Sequence, residues 1–354
     1  MTEDFQLAWH DGTDWPEWGS RPRKPLVVFD MGHRGEWLGS VIGHDVATGN
    51  HMVYHIVRCE LCIGIHVWPL PEPAALARYY ATEFYDRDKP DYVARYEADR
   101  NWWSEAVYTP ILQQCKDHLR LDCPEEDQVR FLDIGAGPGI ALDVAQKRFG
   151  WQTWGIEPHK GLCKALWRRG HVMHEGTLET FPTGPLLFSF DDHAQVHVAM
   201  LYEMLEHQIC PEATLLRVWE LLEPGGVLIV VVPNDYNPLQ LAACKKRGLP
   251  PYWLAPPMHL QMFTPKTLQL LVRRCGFQIL DMRGTFPMER FLLGSREGCY
   301  VGNDTIGRAC HTRRMAYELE AVQTGRWPQV EQTYRMNMAQ RIGRELVFIC
   351  RRQE

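Results

Sequence analysis

Between residues 129 and 281 the chain alternates short apolar runs with amphipathic stretches. The apolar runs predict strands over 129–134, 152–156, 196–201, 227–232 and 277–282. Between them the helical period predicts helices near 140–149, 160–169, 213–222 and 265–275. Alternation at this spacing implies right-handed crossovers and a mainly parallel sheet covered on both faces. Upstream, β-like stretches fall at 26–29, 52–58 and 63–67, and Pro69, Pro71 and Pro73 then mark a break. From 74 to about 119 the pattern is helical, with an aromatic face of Tyr79, Tyr80, Tyr85, Tyr92, Tyr96, Trp102 and Trp103. The tail carries helical patterning near 313–322 and 330–344, and a last strand over 345–351 is expected to return to the sheet edge.

These elements divide the chain into a β-rich ribbon-like segment (1–73), an aromatic helical segment (74–125), an α/β core (126–283), a helical lid insertion (284–344) and a last, antiparallel strand (345–354). Length supports this, since 354 residues suit about two domains or one large domain with additions.

Charge and cysteine usage narrow the function. A net charge of −6 gives no electrostatic reason to bind a phosphate backbone, so no nucleic-acid partner is expected. The most apolar run, 226–233, is far too short to span a bilayer, and the acidic N-terminus lacks the features of a signal peptide. Eleven cysteines at irregular spacing read as reduced thiols, which predicts a cytoplasmic protein. The pattern leaves the oligomeric state open.

Chemistry concentrates after the first core strand, in Asp133-Ile-Gly135-Ala136-Gly137-Pro-Gly139. Glycines here permit a tight turn and bring a ligand close to backbone N–H groups at a helix start. The dinucleotide fingerprint would need Gly or Ala at position 140, which is Ile. Asp133 lies two residues before the first glycine, and Glu157 ends the second strand, where a carboxylate accepts both hydroxyls of a ribose. Each carboxylate alone also suits a structural role, as a turn cap or a solvated strand end. Their occurrence at the ends of consecutive strands favours a ligand.

These residues resemble the class I S-adenosylmethionine-dependent methyltransferases. The glycine segment matches their first motif and Gly155-Ile-Glu157-Pro158 their second. Leu201-Tyr-Glu203-Met-Leu-Glu206-His207 resembles the fourth-strand signature of small-molecule members, and Leu222-Glu-Pro224-Gly225-Gly226 with Pro233-Asn234 matches the turn and strand that follow. The resemblance spans 130–281 and implies a Rossmann-like core. It implies that Asp133, Gly135, Ala136, Gly137 and Gly139 hold the methionine part of S-adenosylmethionine and Glu157, beside Pro158, its ribose. Thr177, Leu178 and Glu179 would flank the adenine, although that segment departs from the family's commoner Asp-Ala-Glu type. Glu203 would line the cofactor site, and Tyr80 and Tyr85 would close over it, or else serve only in helix packing.

Methyl transfer from a sulfonium is an in-line displacement, so the protein aligns the reactants, excludes water and removes a proton where the acceptor carries one. Groups at the carboxyl ends of the strands line the crevice of such a sheet. That points to Glu206, Asn234 and Tyr236, and above all to His259 as the base, with His207 as its alternative, each of which also suits a role in holding its loop. Glu289, in the lid with Thr285 and Tyr300, is expected to face a polar, ring-shaped substrate.

Cys59-Glu-Leu-Cys62 between two β-like stretches makes half of a tetrahedral zinc site. Some sugar methyltransferases carry such a ribbon with an earlier Cys pair. Here that place holds Asp30-Met-Gly-His33, whose Asp30 and His33 are candidate ligands, with His51 and His55 also available. A zinc ion there would be structural; the alternative is a metal-free relic. The reading is therefore an enzyme that methylates a small polar molecule, such as a sugar or sugar nucleotide. The alternatives are methylation of RNA or protein, and a non-catalytic binding protein that keeps the fold.

Overall fold

The computed structural model describes residues 26–28, 33–62, 64–119, 129–182, 195–294 and 298–353. Its centre is a seven-stranded sheet built from β5 (Arg130–Ile134), β6 (Gln152–Glu157), β7 (Val172–Glu175), β8 (Val196–Tyr202), β9 (Leu222–Pro233), β11 (Phe277–Gly284) and β12 (Glu345–Arg352). The order across it is β11-β12-β9-β8-β5-β6-β7. Strands β9, β8, β5, β6 and β7 pair in parallel, while β12 runs antiparallel to both β9 and β11. The fold is thus the Rossmann-like α/β arrangement with an antiparallel last strand that the sequence predicts.

The helices Ile140–Phe149, Lys160–Arg168, Pro211–Leu221 and Pro265–Arg274 form the crossovers. Burial explains why the central strands carry no solvent-facing side. Residues Val227 through Val232 are all fully buried, because helices cover both sides. One side of the sheet packs Phe131, Val198, Met200 and Ile229 against the aromatic helical segment, and the other packs Leu132, Ala199, Val230 and Leu268.

The sheet order corrects one expectation. The last strand is not at the sheet edge: it is inserted between β9 and β11, and its fully buried Leu346, Phe348, Ile349 and Cys350 fit only an interior position. The helix Pro238–Arg247 escapes the periodic pattern because it is weakly amphipathic; a capping box starts it, with Asn237 accepting from the Gln240 amide at 3.0 Å and Gln240 from the Asn237 amide at 3.2 Å. The expected β-rich N-terminal segment forms a second, antiparallel sheet of order β1-β2-β3-β4-β10, from β1 (Leu26–Val28), β2 (Arg34–His44), β3 (His51–Cys59), β4 (Gly64–Trp68) and β10 (Gln261–Met262). Its longest strand, β2, is missed because three glycines and polar residues dilute the alternation. Gly35 there faces Arg58 so closely that a Cβ would stand 2.0 Å from the Arg58 carbonyl oxygen. Strand β10 comes from the loop after β9, so this sheet is tied to the core, at His259 and its neighbours.

Beyond β11, the helices Asp304–Gln323 and Trp327–Ala339 lie over the aromatic segment and β11. The contact is polar as well as apolar. Arg314 donates to Glu318 and, through both terminal nitrogens, to Glu345, while Glu318 also accepts from Trp102 at 2.6 Å and from Tyr334. Among the described residues no helix is long and apolar enough to cross a membrane.

Candidate active site

The carboxyl ends of β5, β6 and β8 open into a cavity of about 530 Å³. Its wall includes Asp133, Gly135, Ala136, Gly137, Glu157, Pro158, Thr177, Leu178, Glu179, Glu203 and His207, with Tyr80 and Tyr85 on the facing side. The sequence-expected cofactor residues therefore converge, with one exception. Gly139 is not on the wall; it starts the helix Ile140–Phe149 at φ 71°, and a Cβ there would stand 2.1 Å from a methyl of Leu166.

The loop is held at several points. The amides of Gly135 and Ala136 donate to the Ile156 carbonyl at 2.9 and 3.0 Å. Gly135 and Gly137 sit at φ 79° and 49°, a region where a side chain would be strained. Arg169 donates to the carbonyls of Pro138 and Gly139, both at 2.9 Å, and to Asp143 at 2.5 Å. Sequence reading missed this clamp, because an Arg after a helix carries no distinctive signal.

Glu157 is 2% exposed and accepts from the amides of Gly137 and His159, both at 2.9 Å. Burial pushes its carboxyl up to about 7, against the lowering effect of those two amides. Asp133 is buried too, and burial with the neighbouring Glu157 pushes it up to about 8. Two enclosed carboxyls that face one cavity suit a ligand carrying positive charge and hydroxyl donors. S-adenosylmethionine has both, with a sulfonium, an ammonium and a ribose diol, so the residues present fit it.

Aromatic rings close the other side. Tyr92 stacks on Tyr96 at 4.5 Å and Tyr96 on Trp103 at 4.6 Å between centroids. Tyr92, Tyr96, Tyr108 and Tyr202 line the cavity beside Tyr80 and Tyr85. Glu203, in the left-handed region at φ 48°, turns the chain out of β8. Strain of that kind is retained where surrounding structure enforces it, often at functional sites.

A smaller cavity of about 290 Å³ shares Tyr96, Tyr202 and Glu203 with the first and is also lined by Trp102, Trp103, Tyr300, His311, Arg314 and Arg344. Glu289 lies outside both linings. It is fully buried, and burial raises it although Arg344 nearby and the Tyr252 hydroxyl lower it.

The two imidazoles differ in position. His207 is on the wall of the first cavity, and its Nδ1 lies 2.6 Å from the Met258 carbonyl oxygen and 3.0 Å from the Tyr80 hydroxyl. His259 is behind it, ring centroids 5.2 Å apart, and burial lowers it to about 3. Asn234 and Tyr236, also expected at the crevice, line neither cavity: Asn234 is fully buried and donates to the Gly343 carbonyl at 3.0 Å, while Tyr236 packs on Trp253.

At the far end of the second sheet, Cys59, Cys62 and His33 meet, joined by His66, which sequence reading did not select. Asp30 lies outside the described residues. His51 and His55 are not part of the group, and His55 bonds Ser40 at 2.9 Å. His33 Nδ1 is 3.5 and 3.6 Å from the two sulfurs and 3.3 Å from His66 Nε2.

The family described as "Methyltransferase domain" matches residues 102–281, just over half of the chain. A probable S-adenosylmethionine-dependent methyltransferase of Mycolicibacterium smegmatis is 25% identical over 194 residues, which is 53% of this chain; the match spans 64% of that relative's length. Similar solved structures include an S-adenosylmethionine-dependent methyltransferase from Archaeoglobus fulgidus (14% identity, TM-score 0.41, 73% of this chain and 99% of that one). Another is a putative sarcosine dimethylglycine methyltransferase from Galdieria sulphuraria (14% identity, TM-score 0.41, 71% and 84%). The chain belongs to the class I S-adenosylmethionine-dependent methyltransferases.

Proposed function

We propose that this protein transfers a methyl group from S-adenosylmethionine to a small polar molecule of sugar or sugar-nucleotide type. The observation that carries the reading is the pair of buried carboxyls, Asp133 and Glu157, on one wall of the glycine cradle. When bound, the cofactor supplies an electrophilic methyl group on a positively charged sulfur. Asp133 and the glycine loop hold its amino-acid end, Glu157 its ribose, and Thr177, Leu178 and Glu179 flank the base. Tyr80, Tyr85 and the rings behind them exclude water, which strengthens every charge interaction inside.

The smaller cavity is the acceptor pocket in this reading. Trp102 and Trp103 offer flat apolar surface, and Glu203, Tyr300 and Arg344 offer hydrogen bonds, a mixture suited to a hydroxylated ring. For proton removal, His207 is favoured over His259, since only His207 is on the wall of the cofactor cavity, into which the acceptor's reacting hydroxyl would reach past the shared Tyr96, Tyr202 and Glu203. Its contact with the Met258 carbonyl places a proton on Nδ1, so Nε2 is the nitrogen that would accept one, in exchange for the ring's second contact, with the Glu203 backbone. The test is incubation with methyl-labelled cofactor and a panel of free sugars, nucleotide sugars, peptides and RNA. Label in the carbohydrate arms supports the proposal; label only in peptide or RNA sinks the acceptor class.

We further propose that His33, Cys59, Cys62 and His66 hold one structural zinc ion. Zinc bonds of about 2.0–2.1 Å to nitrogen and 2.3 Å to sulfur give tetrahedral edges of about 3.3 Å (N–N) and 3.6 Å (N–S). The three edges at His33 match within 0.1 Å. The Cys62 amide points at Cys59 Sγ at 3.5 Å, and His66 Nδ1 contacts the Val67 carbonyl at 2.8 Å, which leaves Nε2 free to ligate. Metal analysis of protein purified without added zinc should find about one zinc per chain; fully folded, metal-free protein unable to take up zinc would exclude the site.

A further inference from the structure

Glu206 is 1% exposed, and no other residue donates a hydrogen bond to either oxygen of its carboxylate. Such a group is costly to bury alone. Two imidazoles stand beside it, yet neither satisfies it. His207 Nε2 is 3.8 Å from Glu206 Oε1, beyond hydrogen-bond distance, and the buried His259 Nδ1 is likewise without a partner. One ligand atom from each of the three lies within 4.8 Å of the others. The groups lie close together without bonding one another.

We infer that Glu206, His207 and His259 form a second metal site, which takes a divalent cation of borderline softness at the edge of the cofactor cavity. Two imidazoles and one carboxylate are the donor set of metal sites that keep open positions for other ligands. The support behind the ligands fits as well. A ligating histidine usually donates its other ring N–H to a carbonyl or carboxylate, and His207 Nδ1 contacts the Met258 carbonyl at 2.6 Å. The surroundings favour a cation. Glu203 and Asp235 both act on Glu206 with the same sign of charge, and burial is the main reason its carboxyl is held well above the usual range. Arg344 and Lys89 are the positive side chains that act on His259, and neither bonds Glu206. The site differs from the Cys-containing one in having no sulfur, so the two prefer different metals.

The consequence rests on the methyl-transfer reading: a cation held here would orient an acceptor hydroxyl and make it more acidic, and His207 would act as the base proposed above only in metal-free protein. Binding itself does not depend on that reading. The experiment uses the full chain, loaded first with one equivalent of zinc to fill the thiolate site, and then titrated with Co²⁺ alone. Wild type should bind one further Co²⁺, with visible ligand-field bands and no thiolate charge-transfer band. Glu206→Gln and His259→Gln should each weaken that binding at least tenfold, while binding of S-adenosylhomocysteine shows that the variants are folded. Loss of even an outer-shell partner costs about 10–100-fold, so a direct ligand should cost no less. If Glu206→Gln fails to fold, His259→Gln gives the reading. No Co²⁺ uptake by wild type, or unchanged uptake in a folded variant, overturns the inference. Absence of methyl transfer to every acceptor, with Co²⁺ still bound, would fail only the functional proposal.

Discussion

Glu157 Oε2 accepts the Gly137 amide at 2.9 Å, so the end of the second parallel strand and the glycine loop after the first hold one another. The carboxylate at this junction is also the one proposed to hold the ribose. It therefore links fold and ligand.

That link predicts a pH dependence. Asp133 and Glu157 are raised to about 8 and about 7, so the unloaded fold prefers their neutral forms. Their contribution to stability is full below the unfolded carboxyl values of about 4 and is lost as pH rises through the folded values. A cationic ligand needs the ionised forms. Affinity for S-adenosylmethionine should therefore rise between pH 6 and about 8.5, with proton release on binding. Calorimetry in two buffers of different ionisation heat measures this. Flat affinity with no proton release would show that neither carboxyl titrates with the ligand.

The outer helices give a stability prediction. Glu318 accepts from Arg314, Trp102 and Tyr334, and Arg314 also holds Glu345 at the start of β12. Glu318→Ala leaves a buried guanidinium and two other donors short of a partner. The cost should be about 3–5 kcal/mol, the scale for breaking a buried ion pair. Denaturant unfolding gives the value; a loss under about 1 kcal/mol would mean that water replaces the carboxylate at no more than the cost of an exposed pair.

A third prediction concerns the second sheet. If His33, Cys59, Cys62 and His66 bind zinc, a chelator should lower the melting temperature, and Cys59→Ser should remove the metal. Because β10 joins that sheet to the loop carrying His259, the loss should also reach the core. Equal melting temperatures with and without chelator would argue that the sheet is stable without metal.

Much of this was legible in the sequence, and the reasons differ by element. The central strands announce themselves because burial on both faces leaves runs such as 227–232 with no polar residue. The glycine loop, Asp133 and Glu157 are readable because backbone constraint and strand-end position fix residue type. The position of β12 was not readable: an apolar run says that a strand is buried, not between which neighbours. His66 was missed for a similar reason. It stands inside the short strand β4, and only the pairing of β3 with β4 brings it to Cys59 and Cys62. Arg169 and the orphaned Glu206 are properties of packing, which spacing along the chain does not encode.

The most direct measurement is calorimetric titration of the wild type and Glu157→Ala with S-adenosylhomocysteine, with NAD as the control. The wild type should bind the nucleoside at about one per chain and ignore NAD, since Ile140 replaces the dinucleotide-type glycine. Glu157→Ala should weaken binding by about 1–3 kcal/mol, the scale for hydrogen bonds to a charged group. A wild type that binds NAD and not S-adenosylhomocysteine, or a Glu157→Ala protein with unchanged affinity, would contradict the assignment of this cavity.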